Sequence, residues 1–253
     1  MGLFNKNNKK VSLGQLEHKT LHKNLNFTAT EQYKLLRTNI DFTLPHEEKC
    51  HVIGVTSSVR GEGKSTTAIN LSYVLAEKGS KVLLIDGDLR IPSVAKKLQI
   101  KSGPGLTTLL MNGSFDVEPF KSSMLQSWYI LPSGEIPPNP SELLGSGRME
   151  KLLDALKSEF DYIIIDLPPV NIVSDALSIS KFISGMIVVI REEYTEKKEL
   201  TFCMRQLSLS NVNVLGCVLN SSKASGGTYG KKYKKKYYES GSKSSSGSKE
   251  KKK

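Results

Sequence analysis

The chain has 253 residues, 38% of them hydrophobic and 24% charged, with a formal net charge of +11. A chain of this size and composition can bury one substantial core, and no run approaches the roughly 18 apolar residues that a membrane-spanning helix requires. Residues 223–253 hold eleven lysines against Glu239 and Glu250, a net +9 that leaves +2 for residues 1–222, so the basicity belongs to the tail.

Residues 1–24 are polar and lysine-rich and read as a flexible leader. The opening MGLFNK has Gly2 but Lys6 where a myristoylation signal wants Ser or Thr, and no apolar signal-peptide core follows. The chain is therefore expected to work in the cytoplasm. Residues 25–222 form the expected domain. In it, ATEQYKLLRTNIDFTL (29–44) reads as an amphipathic helix opened by Thr30. Continuous apolar runs of strand length recur at 51–58, 81–88, 128–134, 162–169, 186–192 and 214–220, as expected for strands covered on both faces. Between the first two lies GKSTTAINLSYVLAEKG (63–79), where Ala68, Leu71, Ser72 and Leu75 keep helical spacing and Gly79 is placed to end the helix.

Alternating strands and helices predict an α/β fold: a mostly parallel sheet with helices on both faces. PSGEIPPNPSELL (132–144) reads as a surface loop, with Ser141 capping the helix that follows. Cys50, Cys203 and Cys217 are too scattered for a metal cluster, and the last two, in apolar runs, read as buried free thiols. Residues 223–253 are Ser, Gly and Lys with interleaved tyrosines, a composition that cannot offset its conformational entropy by burial. They read as a disordered tail.

The chemistry concentrates at three strand ends. TSSVRGEGKSTT (56–67) follows the first apolar run and opens the helix of residues 63–79. It departs from the strict phosphate-loop pattern only in having Ser58 where glycine is usual. Gly61, Glu62, Gly63, Lys64, Ser65 and Thr66 form the expected nucleotide-binding loop, in which backbone N–H groups and a helix N-terminus close on phosphate oxygens. Lys64 would reach the outer phosphates and Ser65 a Mg²⁺ ion. VLLIDGDLR (82–90) ends an apolar strand with Asp86 and Asp88 on one side of the backbone, beyond the strand edge where ligands of open α/β sheets bind. YIIIDLPP (162–169) ends in Asp166, suited to contact with the metal.

A GEGKST loop, a D-x-D-x-R strand end, a DLPP strand end and the clustered Tyr229, Tyr233, Tyr237 and Tyr238 together resemble the bacterial tyrosine kinases. The likeness spans residues 29–240 and favours the cytoplasmic kinase components of capsular or exopolysaccharide assembly. It implies a P-loop fold, ATP and Mg²⁺, with Lys64, Asp86 and Asp88 catalytic and Ser65, Asp86 and Asp166 at the metal. Asp86 is implied as proton acceptor for the attacking tyrosine, the four tail tyrosines as phosphoacceptors in trans, and Asn220 as a contact to the base.

The resemblance also implies a ring-like homo-oligomer, with an octamer as one possible size, contacting through an E-x-x-R-x-x-R helix face, here Glu31, Lys34 and Arg37 with lysine in the middle. It further implies a separate transmembrane adaptor that recruits the kinase to the inner face of the membrane, protein-tyrosine substrates, a tyrosine phosphatase and no nucleic acid. The alternative is a ParA/MinD-type partitioning ATPase with a polybasic tail. Its signature lysine early in the loop is missing here, where Val59 and Arg60 stand.

Overall fold

The computed structural model describes residues 25, 27–45, 47–113 and 116–221. The leader 1–24 and the tail with its four tyrosines lie outside the described residues.

The described chain runs α1 (Phe27–Thr43), β1 (His51–Ser57), α2 (Lys64–Glu77), β2 (Val82–Asp86), α3 (Val94–Leu98), α4 (Leu106–Asn112) and β3 (Trp128–Leu131). It continues through α5 (Pro140–Leu144), α6 (Gly147–Lys157), β4 (Tyr162–Asp166), α7 (Asp175–Ser178), β5 (Gly185–Arg191), α8 (Lys197–Leu209) and β6 (Val214–Asn220). The six strands form one sheet in the order β3-β2-β4-β1-β5-β6, and every neighbouring pair is parallel. All six apolar runs become strands.

The unbroken apolar runs are explained by how they divide. Val82 and Leu84 face α1 and α2, whereas Leu83 and Ile85 face the opposite layer around α4, α6 and α8. Alternation along an extended chain thus feeds two cores. Ala68, Leu71, Ser72 and Leu75 of α2 are all buried, and Gly79, at φ +107°, ends the helix by donating its N–H to Ala76 O.

Three local expectations are corrected. Thr30 lies inside α1, which begins at Phe27. Ser141 lies inside the short α5; Ser146 caps α6, accepting from the Met149 N–H, while Ser141 turns its hydroxyl to Asp175. Cys50 and Cys203 are buried, but Cys217 is exposed, because β6 is the edge strand and pairs only with β5. No helix among the described residues is long and apolar enough to cross a membrane.

Candidate active site

Strand register brings the motifs together. Asp86 and Asp166 are paired positions on β2 and β4, and Val55 pairs with Asp166 from the other side. Paired residues of adjacent parallel strands project from the same face, so two carboxylates converge beside the loop that leaves β1. That loop carries Gly61 and Gly63 at φ +84° and +99°, a region open to glycine at little cost. It delivers Lys64 to the start of α2.

Lys64 Nζ donates to Asp88 Oδ2 at 2.8 Å and lies 3.4 Å from both Asp166 Oδ1 and the Ser65 hydroxyl. Burial acts to lower its pKa, but Asp166 and Asp88 outweigh that and hold the ammonium above the ordinary lysine value. Asp86 is fully buried. Its Oδ2 accepts from the N–H groups of Ser93 and Val94, both at 3.0 Å. Burial first, and the facing Asp166 second, raise its pKa to about 7. Burial also raises that of Asp166. Lys64 and Asp88 line a cleft of about 350 Å³ together with, among others, Gly61, Thr66, Arg90 and Lys97, and Asp86 and Asp166 lie buried behind them.

The loop is braced from beneath. Ser58, at the departing position, donates to both carboxylate oxygens of buried Glu62 at 2.8 and 3.0 Å. The Val59 N–H donates to Glu62 Oε2 at 2.8 Å, and the Thr195 hydroxyl donates to Oε1. The Glu62 carboxylate is therefore committed to the loop, which leaves its main chain as what it can offer a phosphate. The serine in place of glycine supplies a donor that a glycine lacks. Asn220, expected near the base, donates its amide to Glu62 O at 2.9 Å. A Cβ on Gly63 would stand 2.0 Å from the Asn220 amide nitrogen.

The DLPP segment closes one side. Leu167 and Val170 donate their N–H groups to Val55 O and Ser57 O, and the Thr56 hydroxyl donates to Pro168 O at 2.7 Å.

Two features escaped the sequence reading. Arg90 holds buried Asp175 in a fork, at 2.9 Å from Nε and 3.0 Å from Nη2, and Ser141 joins them. Lys97 of α3 lines the cleft. The order D-x-D-x-R hints that Arg90 has a task, but nothing local points to Asp175, 85 residues away.

The donors present suit Mg²⁺. Buried Asp86 Oδ1 and Asp166 Oδ2 have no hydrogen-bond partner among the described residues, and Ser65 adds a third hard oxygen. Among the described residues no three acidic, histidine or cysteine side chains form a ligand group by themselves. A cation here would depend on phosphate oxygens as well, as Mg²⁺ commonly does.

On α1 the expected contact residues find partners within the chain. Lys34 pairs with Glu31 at 2.9 Å, and Arg37 donates to Val74 O at 2.8 Å.

A family model described as an AAA domain matches residues 50–200. The tyrosine-protein kinase YwqD of Bacillus subtilis is 38% identical over 196 residues, covering 78% of this chain and 82% of that protein. Among solved structures, the chimerical protein CapA2B2 superposes with a TM-score of 0.71 at 36% identity, covering 76% of this chain and 84% of its own. The kinase domain of the Escherichia coli tyrosine kinase ETK gives a TM-score of 0.69 at 29% identity, covering 75% and 74%. The septum site-determining protein MinD of Pyrococcus horikoshii shares the fold more distantly, with a TM-score of 0.56 at 25% identity over 69% of this chain and 72% of its own. The partitioning alternative is thus the less supported one. With YwqD 38% identical and matched over 82% of its length, this chain belongs to the bacterial tyrosine-protein kinases.

Proposed function

We propose that this kinase transfers the γ-phosphoryl group of ATP to Tyr229, Tyr233, Tyr237 and Tyr238 of neighbouring copies, and that it serves capsular or exopolysaccharide synthesis and export. The observation that carries the site assignment is the Lys64 ammonium held between Asp88 and Asp166 at the mouth of a glycine loop, with Asp86 adjacent.

In the proposed step the phenolic oxygen attacks the γ-phosphorus, the bond to the β–γ bridging oxygen breaks, and ADP departs. The phenolic proton passes to Asp86. A tyrosine hydroxyl has a pKa of about 10, so the carboxylate takes the proton late in the step, once bond formation to phosphorus has acidified the phenol.

Lys64 and the N–H groups at the start of α2 neutralise the outer phosphates, and most of the rate comes from this charge stabilisation and from positioning. Ser65, Asp86 and Asp166 would hold Mg²⁺, which when bound neutralises charge on the β- and γ-phosphates. Gly61, Gly63 and Thr66 would line the phosphates, and Asn220, beside the loop, would contact the base.

Each phosphotyrosine adds about −1.5 to −2, so four would nearly cancel the +9 of residues 223–253. Loss of tail docking and loosening of the oligomer follow from that neutralisation. The proposed ring uses Glu31, Lys34 and Arg37, and the exposed Phe27, Leu35 and Phe42 on α1 support a covered face there. The proposed home is the cytoplasm, at the inner membrane face through a separate transmembrane adaptor, with a tyrosine phosphatase reversing the reaction.

Incubation with ATP and Mg²⁺ followed by phosphotyrosine detection tests this. Mixing a Lys64→Met chain, which keeps its tyrosines, with a chain whose four tail tyrosines are phenylalanine should label the Lys64→Met chain. Label confined to the phenylalanine chain, or undiminished in that chain alone, overturns the tail assignment. No phosphotyrosine from the wild-type chain with its adaptor overturns the mechanism.

A further inference from the structure

Lys64 is not the cleft's sole ammonium. Lys97 lines the same space, and its Nζ lies 3.4 Å from the Thr66 hydroxyl, a long and weak contact. The cations around it are matched by acids: Lys64 has Asp88 and Asp166, and Arg90 has Asp175. Lys97 is half-buried and forms no ion pair among the described residues. Burial, and then the charges of Lys64 and Lys96, draw its pKa below the ordinary lysine value against the pull of Asp166. A cation drawn part-way out of water without a counter-charge is unfavourable unless a ligand supplies one.

Its placement is built in. Asp86 Oδ2 accepts from the N–H groups of Ser93 and Val94, where α3 begins. The carboxylate at the heart of the site thereby sets the position of the helix that carries Lys97. Opposite stands Thr66 in the first turn of α2, where main-chain N–H groups and the helix dipole favour an anion.

We propose that Lys97 is a second phosphate-binding residue, whose ammonium takes an oxygen of the nucleotide's phosphate chain alongside Lys64. This rests on reading the cleft as the nucleotide site. It also gives Asp86 a positioning role separate from proton transfer. Removing the acceptor with Asp86→Ala should weaken nucleotide binding through displaced Lys97, so Asp86→Ala and Lys97→Gln together should cost less than the sum of the two alone.

The test uses the full chain with Mg²⁺ and a fluorescent N-methylanthraniloyl ATP. Lys97→Gln should raise its Kd about tenfold, the scale of a hydrogen bond to a charged group. Lys97→Arg should restore most of the affinity, and adenosine, which has no phosphates, should bind both variants as it binds the wild type. Lys97→Met, which keeps the aliphatic stem, replaces the glutamine variant if that one does not fold. Unchanged ATP-analogue affinity in a folded Lys97→Gln or Lys97→Met chain overturns the proposal, as does an equal loss for adenosine. A wild-type chain that binds the analogue but makes no phosphotyrosine would instead sink the kinase mechanism and leave Lys97 standing.

Discussion

In the phosphate loop, buried Glu62 takes donors from Ser58, Val59 and Thr195, whereas on α1 half-exposed Glu31 pairs with Lys34 three residues along. Both glutamates sit in stretches that the sequence marks for function. The first is a fixed part of the apparatus, since its loss would strand three donors beneath the loop. The second pairs across a helix turn in water, where ion pairs contribute little. A large effect of mutating Glu31 or Lys34 must therefore come from outside the described chain, while large effects in the loop arise within it.

The largest expected effect lies at the loop's exit. Lys64→Met removes the ammonium that separates Asp88 from Asp166, and should lower phosphotyrosine formation by about a hundred- to a thousandfold, the scale for losing one charge-stabilising donor. Residual activity near that of the wild type would show that Lys64 is not aimed at phosphate. Next comes Glu62→Ala, which strands buried donors and should reduce unfolding free energy by about 3 kcal/mol in urea titration. A loss below about 0.5 kcal/mol would mean water replaces the carboxylate and the loop is not braced as described.

Asp86 gives a pH signature. Its carboxyl, at about 7 in the folded chain against about 3.9 unfolded, binds its proton more tightly when folded. Its stabilising contribution is therefore full below pH 4 and is lost as the pH rises through 7. Without metal and nucleotide, Asp86→Asn should melt above the wild type at pH 8, by an amount equivalent to a few kcal/mol at most, and the gap should narrow toward pH 4. A lower melting point at pH 8 would mean that the Ser93 and Val94 N–H groups favour the charged carboxylate more than burial disfavours it.

The same contrast between local and distant partners decides what was legible in the sequence. The six strands and α2 could be read because apolar spacing is a property of neighbouring residues. Lys64, Asp86 and Asp166 could be placed because each ends or follows such a strand. Asp175 and Lys97 could not, because their partners lie 85 and 31 residues away and no spacing rule connects them. Glu62 was read as a nucleotide contact from its position in the loop, and only the fold reveals that Ser58 and Thr195 claim its carboxylate. Cys217 was misread because an apolar run does not say which strand lies at the sheet's edge.

The smallest intramolecular effect belongs to α1, and there it is the most informative. Arg37→Ala loses a hydrogen bond to Val74 O and should cost about 1 kcal/mol on folding. Lys34→Ala breaks a pair whose side chains are 40% and 45% exposed and should change unfolding free energy by no more than about 0.5 kcal/mol. If α1 is the ring contact, the same Lys34→Ala chain should nevertheless sediment at lower mass than the wild type at micromolar concentration, because the cost would fall on the partner subunit. Unchanged stability with unchanged mass would reduce Glu31 and Lys34 to a solvated surface pair.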